Sequence, residues 1–342
     1  MVESGALDSL RFCKFPNPNW QPWTGEVEDL MPIAMPLRRG LFPLALSTIA
    51  LLAATGAAAR NWSDWSAPAS IETMLNSSTL INTAAVDGCA SLSPDGRELW
   101  ITSNRPGGFG GVDVWIARRE STSSGFGTPQ NAGAAVNGPF DDYCPTMTRG
   151  GRLFYGSRRD DPAGDLYVIR RGPKGWGELE RLGSNINSSG AIEESPSLYE
   201  DDGHQVLYFS SSRDGRNRIY YSVDFGPASL APGGVNSSAD DARPTVSKNG
   251  LEIFWDSTRT GTLGGFDLWT ATRSSTSQPW DTAVHLGSLS SSGPGGFFQP
   301  GFDARPSVSW DGSMLVFASV RAGGEGLVDL YFATREQRTG RK

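Results

Sequence analysis

Five segments of this chain can be laid over one another, and that recurrence restricts the possible folds more than any other feature. "ELWITSNR", "RLFYGSRR", "VLYFSSSR", "EIFWDSTR" and "MLVFASVR" each end in serine, one residue, arginine: Ser103/Arg105, Ser157/Arg159, Ser211/Arg213, Ser257/Arg259 and Ser319/Arg321. Each is preceded by a short strand and a turn ("ASLSPDG", "PTMTRGG", "PSLYEDDG", "PTVSKNG", "PSVSWDG"). Asp-Gly and Asn-Gly between alternating strands are hairpin chemistry, because the turn needs positive φ. Each is followed by a third strand: "DVWIAR", "DLYVIR", "IYYSVD", "DLWTATR" or "DLYFATR". The residues opening the first strand (Ala90, Pro145, Pro196, Pro244, Pro306) are spaced by 55, 51, 48 and 62. That is about the length of a four-stranded propeller blade, and longer than most helical solenoid repeats.

A fourth, weaker strand follows the first four units, in "GFGTPQNAG", "GWGELERLG", "DFGPASLAP" and "PWDTAVHLG". Nothing similar follows the fifth, but "DWSAPASIE", from Asp64, stands ahead of the first. The expected fold is all-β: a five-bladed β-propeller of four-stranded blades, the last blade closed by the N-terminal strand. Closure removes the open sheet edge that would otherwise invite aggregation. The glycine-rich "SNRPGGFGGVD" is then a bend between strands. A phosphate-cradling loop should lead into a helix, and this one leads into "VDVWIARRES".

The stretch "SPDGRELWITSNRPGGFGGVDVW" resembles the TolB-type, WD-like propeller repeat of many exported bacterial proteins, and the resemblance spans about residues 62–336. It implies a propeller with a binding role. TolB itself also has a separate N-terminal α/β domain and six blades, and this chain has room for neither.

Composition excludes several classes. With 42 Gly and 22 Pro in 342 residues the chain is too turn-rich for a helical protein, and its net charge of −7 with no basic run excludes a nucleic-acid face. Two distant histidines, His204 and His285, and three cysteines offer no metal-ligand spacing, so no metal and no cofactor is expected. Residues 35–59 have the form of an export signal: Arg38 and Arg39, an apolar run from Leu41 to Thr55, then Ala57-Ala58-Ala59. Uncleaved, the run nearly reaches membrane-spanning length, but its small-residue end favours cleavage. Residues 1–34 are polar, acidic and unpatterned, which reads as an upstream extension or a disordered segment with Met35 as the functional start. Residues 60–342 form the propeller, expected to be monomeric and periplasmic or secreted, with membrane contact only if the signal stays in place.

Candidate chemistry centres on one face of the disc. Asp87, Asp142, Glu193, Asp241 and Asp303 each stand three residues before a strand opening, at the end that carries the Ser-x-Arg bends. Glycoside hydrolysis needs two carboxylates at suitable separation, and Asp87, Asp142 and Glu193 would supply them in an enzymatic reading. Because the acids obey the repeat in every blade, pairing with the bend arginines is the favoured role. By the same logic Asp113, Asp165, Asp267 and Asp329 should pair with arginine at the loop base. Trp115, Tyr167, Tyr220, Trp269 and Tyr331 should serve packing between blades.

Departures from the repeat mark the candidate sites. The third blade has Arg218 where the others have aspartate, so Arg213, Arg216 and Arg218 crowd one bend with only Asp214 nearby. The residues before the strand-opening position are Cys89, Cys144, Ser195, Arg243 and Arg305. Arg243 and Arg305 suit an anion held in a guanidinium fork, unless Asp241 and Asp303 satisfy them. Export would favour a Cys89–Cys144 disulfide, provided the two Cα atoms lie within about 7 Å. The longest connection, "SLSSSGPGGFFQPGFD", carries Phe297, Phe298 and Phe302, which have no counterparts in other blades. They form either a plug over the channel or, as the favoured reading, an exposed patch for a partner. The expected function is a non-enzymatic scaffold for a protein or extracellular glycan, with a glycoside hydrolase as the alternative.

Overall fold

The structure, a computed structural model, describes residues 62–338. The expected extension, signal segment and third cysteine (Cys13) lie outside the described residues. Strand β1 (Ala69–Ser70) comes first, followed by a short 3₁₀ turn over Ile71–Asn76. Blade 1 is then β2 (Asp87–Leu92), β3 (Glu98–Ser103), β4 (Asp113–Arg118) and β5 (Gln130–Asn131). Blade 2 is β6 (Asp142–Met147), β7 (Arg152–Ser157), β8 (Asp165–Gly172) and β9 (Gly175–Arg181). Blade 3 is β10 (Glu193–Asp201), β11 (His204–Ser211), β12 (Arg218–Val223) and β13 (Ser229–Leu230). Blade 4 is β14 (Asp241–Val246), β15 (Glu252–Ser257), β16 (Asp267–Thr272) and β17 (Val284–His285). β18 (Asp303–Val308), β19 (Met314–Ser319) and β20 (Asp329–Thr334) form blade 5, and β1 supplies its outer strand.

The ring therefore closes as the sequence leads one to expect. β1 runs antiparallel to β20, with Ala69 opposite Phe332 and Ser70 opposite Tyr331. All pairing within blades is antiparallel, and blades 1 to 4 are simple meanders. The five hairpins between first and second strands turn on Gly96, Gly151, Gly203, Gly250 and Gly312, all at positive φ. Apolar faces of neighbouring blades form the core: Trp100, Val114 and Ile116 of blade 1 pack against Met147, Leu153 and Tyr155 of blade 2.

One feature recurs in every innermost strand. Register slips between Gly88 and Ser91, Tyr143 and Thr146, Glu194 and Ser197, Ala242 and Thr245, and Ala304 and Ser307. Each slip is a β-bulge, and each holds a non-glycine residue at positive φ: Cys89 (46°), Cys144 (52°), Ser195 (54°), Arg243 (51°) and Arg305 (59°). Such a backbone costs energy for an L-residue and persists only where the surroundings enforce it. Five bulges at one level make a waist around the channel.

Candidate functional site

On one face of the waist the five acids and five bend arginines form a closed ring of ion pairs. Arg105 meets Asp87 at 2.5 Å, Arg159 meets Asp142 at 2.6 Å, and Arg213 meets Glu193 at 3.3 Å. Arg259 meets Asp241 at 2.5 Å and Arg321 meets Asp303 at 2.6 Å. The hydroxyls of Ser103, Ser211, Ser257 and Ser319 donate to the same carboxylates. The other oxygen of each acid accepts from the preceding loop, at the backbone N–H of Thr83, Gly138, Ser188, Ser237 or Ser291. Each arginine also donates to a loop carbonyl (Ile81, Val136, Ile186, Val235, Leu289). Its guanidinium lies 4.7–5.4 Å from the ring of Trp115, Tyr167, Tyr220, Trp269 or Tyr331. The recurring aromatics therefore carry the arginines, a cation–π role beyond blade packing.

A partner of this ring is missing from the pattern read in the sequence. Asn82, Asn137, Asn187, Asn236 and Ser290 accept from the backbone N–H of Leu330, Val114, Leu166, Ile219 and Leu268. They lock each connecting loop onto a neighbouring third strand. The signal is present as an Asn preceded by Ile or Val, five or six residues before the acid in four blades.

Several expected roles are corrected. Asp87, Asp142 and Glu193 are 0% exposed and held at both oxygens, which leaves none of them presented to a substrate. Arg213 is committed to Glu193 and Ile186, and Arg216 donates to the carbonyl of Ser238, so two of the three arginines expected to crowd this bend with Arg218 are already engaged. The third-strand aspartates do not pair with the bend arginines. Asp113, Asp267 and Asp329 cap backbone N–H groups of their own bends, and Asp165 pairs with Arg181 of the outer strand. Asp241 and Asp303 hold the bend arginines Arg259 and Arg321. Asp256, on β15, takes Arg243 through both carboxylate oxygens and accepts from the Arg305 backbone N–H at 2.8 Å, while Glu194 lies 3.3 Å from Arg243. Arg243 and Arg305 are 1% and 4% exposed, sunk into the waist.

Cys89 and Cys144 are joined by a disulfide, with Cα atoms 4.8 Å apart. The bulge is what brings them so close, because it carries both residues toward the axis, where neighbouring strands converge. Phe302 is fully buried, and Phe297, Phe298 and Phe302 form one cluster with Phe266. Phe298 packs against Cys89, Cys144 and Tyr143 on one side and Val86, Ala318 and Val328 on the other. The exposed-patch expectation thus gives way to the plug. The loop reaches over the channel because the glycine-rich bend of blade 4 lets it settle there: a Cβ on Gly264 would stand 2.3 Å from the carbonyl oxygen of Gly301.

Below the waist the channel is open. A cavity of about 320 Å³ runs from the bulges to the hairpin face. Its floor is the Cys89–Cys144 disulfide, Ser195, Arg243 and Arg305, and its rim includes Arg149, Arg152, Glu200, Lys248 and Trp310. Ser195 is the one waist residue with appreciable exposure, and its hydroxyl lies 3.8 Å from Cys89 Sγ. The inner strands are tied to one another by Ser91 to Pro145 O, Thr146 to Pro196 O, Ser197 from Val246 N, and Thr245 from Val308 N.

Burial is the largest influence on the resolved carboxyls of the opposite face. Glu193 is pushed up to about 7 by burial, against the lowering effect of Ser211, Ser188 and Arg213. Its arginine stands farther off than those of the four aspartates. A folded pKa above the unfolded one means that Glu193 favours the folded state at low pH, and that this contribution is lost as pH rises from about 4.5 through 7. Between pH 5 and pH 8, Glu193→Gln should therefore gain on the native protein by about 2.5 kcal/mol in urea unfolding. Parallel pH profiles for the two proteins would rule this out.

No protein-family profile and no curated protein matches the chain. Solved propellers do. A glycoside hydrolase structure from Parabacteroides distasonis, described as putative, aligns at TM-score 0.52 and 12% identity, covering 81% of this chain and 98% of that one. The catalytic domain of a Coprinopsis cinerea GH62 α-L-arabinofuranosidase aligns at 0.51 and 11%, covering 80% and 96%. TolB from Acinetobacter baumannii aligns at 0.46 and 15%, covering 73% of this chain and 54% of that one. At such identities the likeness is one of fold alone: the chain is a five-bladed β-propeller.

Proposed function

We propose that this chain is an exported, non-enzymatic binding propeller of the TolB-like type, whose ligand enters the channel from the hairpin face. The carrying observation is chemical: Glu200 is the sole carboxylate among the residues lining the open cavity. Glycoside hydrolysis by the common mechanism needs two. Placement outside the cytoplasm is supported by the Cys89–Cys144 disulfide and by the signal-like pattern of residues 35–59. No helix among the described residues is long and apolar enough to cross a membrane.

One observation favours the hydrolase reading. Glu193, with a pKa near 7, has the protonation behaviour of a general acid. Against it stand its complete burial and the Phe298 plug on its side of the waist. The test is a reducing-end assay of the purified protein on a panel of neutral and acidic polysaccharides, and no turnover is expected. Turnover that Glu193→Gln abolishes at an unchanged melting temperature would install the hydrolase reading instead.

A further inference from the structure

We infer that the open mouth of the channel is a binding site for the end of an acidic sugar chain, with Arg149 and Lys248 holding its carboxylate beside Trp310. This rests on the binding-propeller reading above and gives its ligand a chemical class.

The first ground is shape. The cavity is blind, because the disulfide and the waist arginines floor it and Phe298 packs against the far side of that disulfide. A blind cavity admits a chain end or a small molecule, and excludes a polymer threaded through the disc. Its volume of about 320 Å³ suits one or two sugar rings.

The second ground is charge. The chain is acidic overall, at −7, yet the mouth gathers Arg149, Arg152 and Lys248 against one acid, Glu200. Arg149 and Lys248 make no ion pair among the described residues. They come from the hairpins of blades 2 and 4, and both lean on Trp310 from blade 5. The Arg149 guanidinium is 4.8 Å and the Lys248 Nζ 5.7 Å from its ring centroid. Two cations without acids thus meet over one indole ring. A carboxylate entering there would supply the counter-charge that both lack.

The third ground separates a sugar from a peptide. An extended peptide would bind by adding a strand to the exposed inner edges. Four of those five edges carry proline at the cavity wall (Pro145, Pro196, Pro244, Pro306), which has no N–H to donate. Further edge groups are already spent on the bonds between blades, at Pro145 O, Pro196 O, Val246 N and Val308 N. What the wall offers instead is an alternation of proline, Leu92, Leu198 and Val308 with the hydroxyls of Ser195, Thr148, Ser307 and Ser309. Apolar patches interleaved with hydroxyls match a pyranose ring, which has apolar C–H faces and a hydroxylated edge.

The experiment is calorimetric titration of the purified protein with a galacturonic acid trimer, the neutral galactose trimer and a tetrapeptide with a free C-terminus, with tryptophan fluorescence followed in parallel. The hexuronate should bind at least tenfold more tightly than the neutral trimer and the peptide. Arg149→Gln with Lys248→Gln should weaken it at least tenfold at an unchanged melting temperature, and Trp310→Phe should remove the fluorescence change. The ranking of the three ligands on the unaltered protein decides the matter even if a variant folds poorly. Equal affinity for the neutral trimer, preference for the peptide, or no hexuronate binding at millimolar concentration overturns the inference. Reducing ends counted in the same samples keep the two readings apart: cleavage of a bound hexuronate would end the non-enzymatic reading and leave the site standing.

Discussion

Replacing Cys89 and Cys144 together by serine is expected to lower the melting temperature by roughly 7 °C, with a stability loss of about 4 kcal/mol. The two residues are 55 positions apart, so the cross-link closes a long loop in the unfolded chain. The loop-entropy relation assigns about 4 kcal/mol to a closure of that length. Native-state strain could reduce the effect, but serine inherits the same left-handed backbone as cysteine at both bulges, so that cost stays in the comparison. The bond also staples the inner strands of blades 1 and 2 and supports Phe298 from below. Differential scanning calorimetry with and without reductant measures the effect in the native protein and the double variant. A shift below about 2 °C in both would show that the waist holds without its covalent tie.

How far the sequence reaches depends on which contacts repeat. The ring of Ser-x-Arg bends and acids is legible because its geometry is the same in every blade and the chain must spell it five times. The β1 closure is legible for a related reason: five units need five outer strands, and the missing one stands at the other end. The asymmetric features are harder to place. Arg243 and Arg305 are visible as departures, yet Asp256, which takes the Arg243 side chain and the Arg305 backbone N–H, is not, because it lies inside β15, where the pattern predicts only an interior residue. A buried acid inside "EIFWDSTR" is a signal in hindsight, since the equivalent positions are Thr102, Gly156, Ser210 and Ala318. The Phe297–Phe302 loop stands out as unusual, but its direction does not. That depends on Gly264 offering a surface without a side chain, a contact between segments that no periodicity records. The mouth of the channel is invisible in the sequence, because Arg149, Lys248 and Trp310 lie in hairpin turns, where a polar or aromatic residue is unremarkable until three turns converge.

Asp256→Ala should be the most damaging single substitution away from the blade-to-blade apolar core, at about 3–5 kcal/mol. Its carboxylate receives both the Arg243 side chain and the Arg305 backbone N–H. Arg243 is 1% exposed and its guanidinium lies 4.7 Å from the Phe266 ring, so its charge is held away from bulk water. Glu194 would remain 3.3 Å from Arg243, and the Arg305 N–H would lose its acceptor. Removing one partner of a buried pair is far costlier than the pair is worth, because the surviving charge stays desolvated. Asp256→Asn should cost less, since the amide oxygen in the Oδ1 place still accepts from the Arg305 N–H and Arg243 Nε, although its NH2 in the Oδ2 place meets the Arg243 Nη2 donor. The ordering Ala worse than Asn worse than native, measured by urea unfolding at pH 7, is the expected result. A loss below about 1 kcal/mol for Asp256→Ala would mean that the waist relaxes to admit solvent. Because Arg243 also lies 5.8 Å from the Phe297 ring, both variants should loosen the plug as well, raising acrylamide quenching of the protein's tryptophan fluorescence before global unfolding begins. Quenching that rises only in step with unfolding would place plug and waist in separate cooperative units.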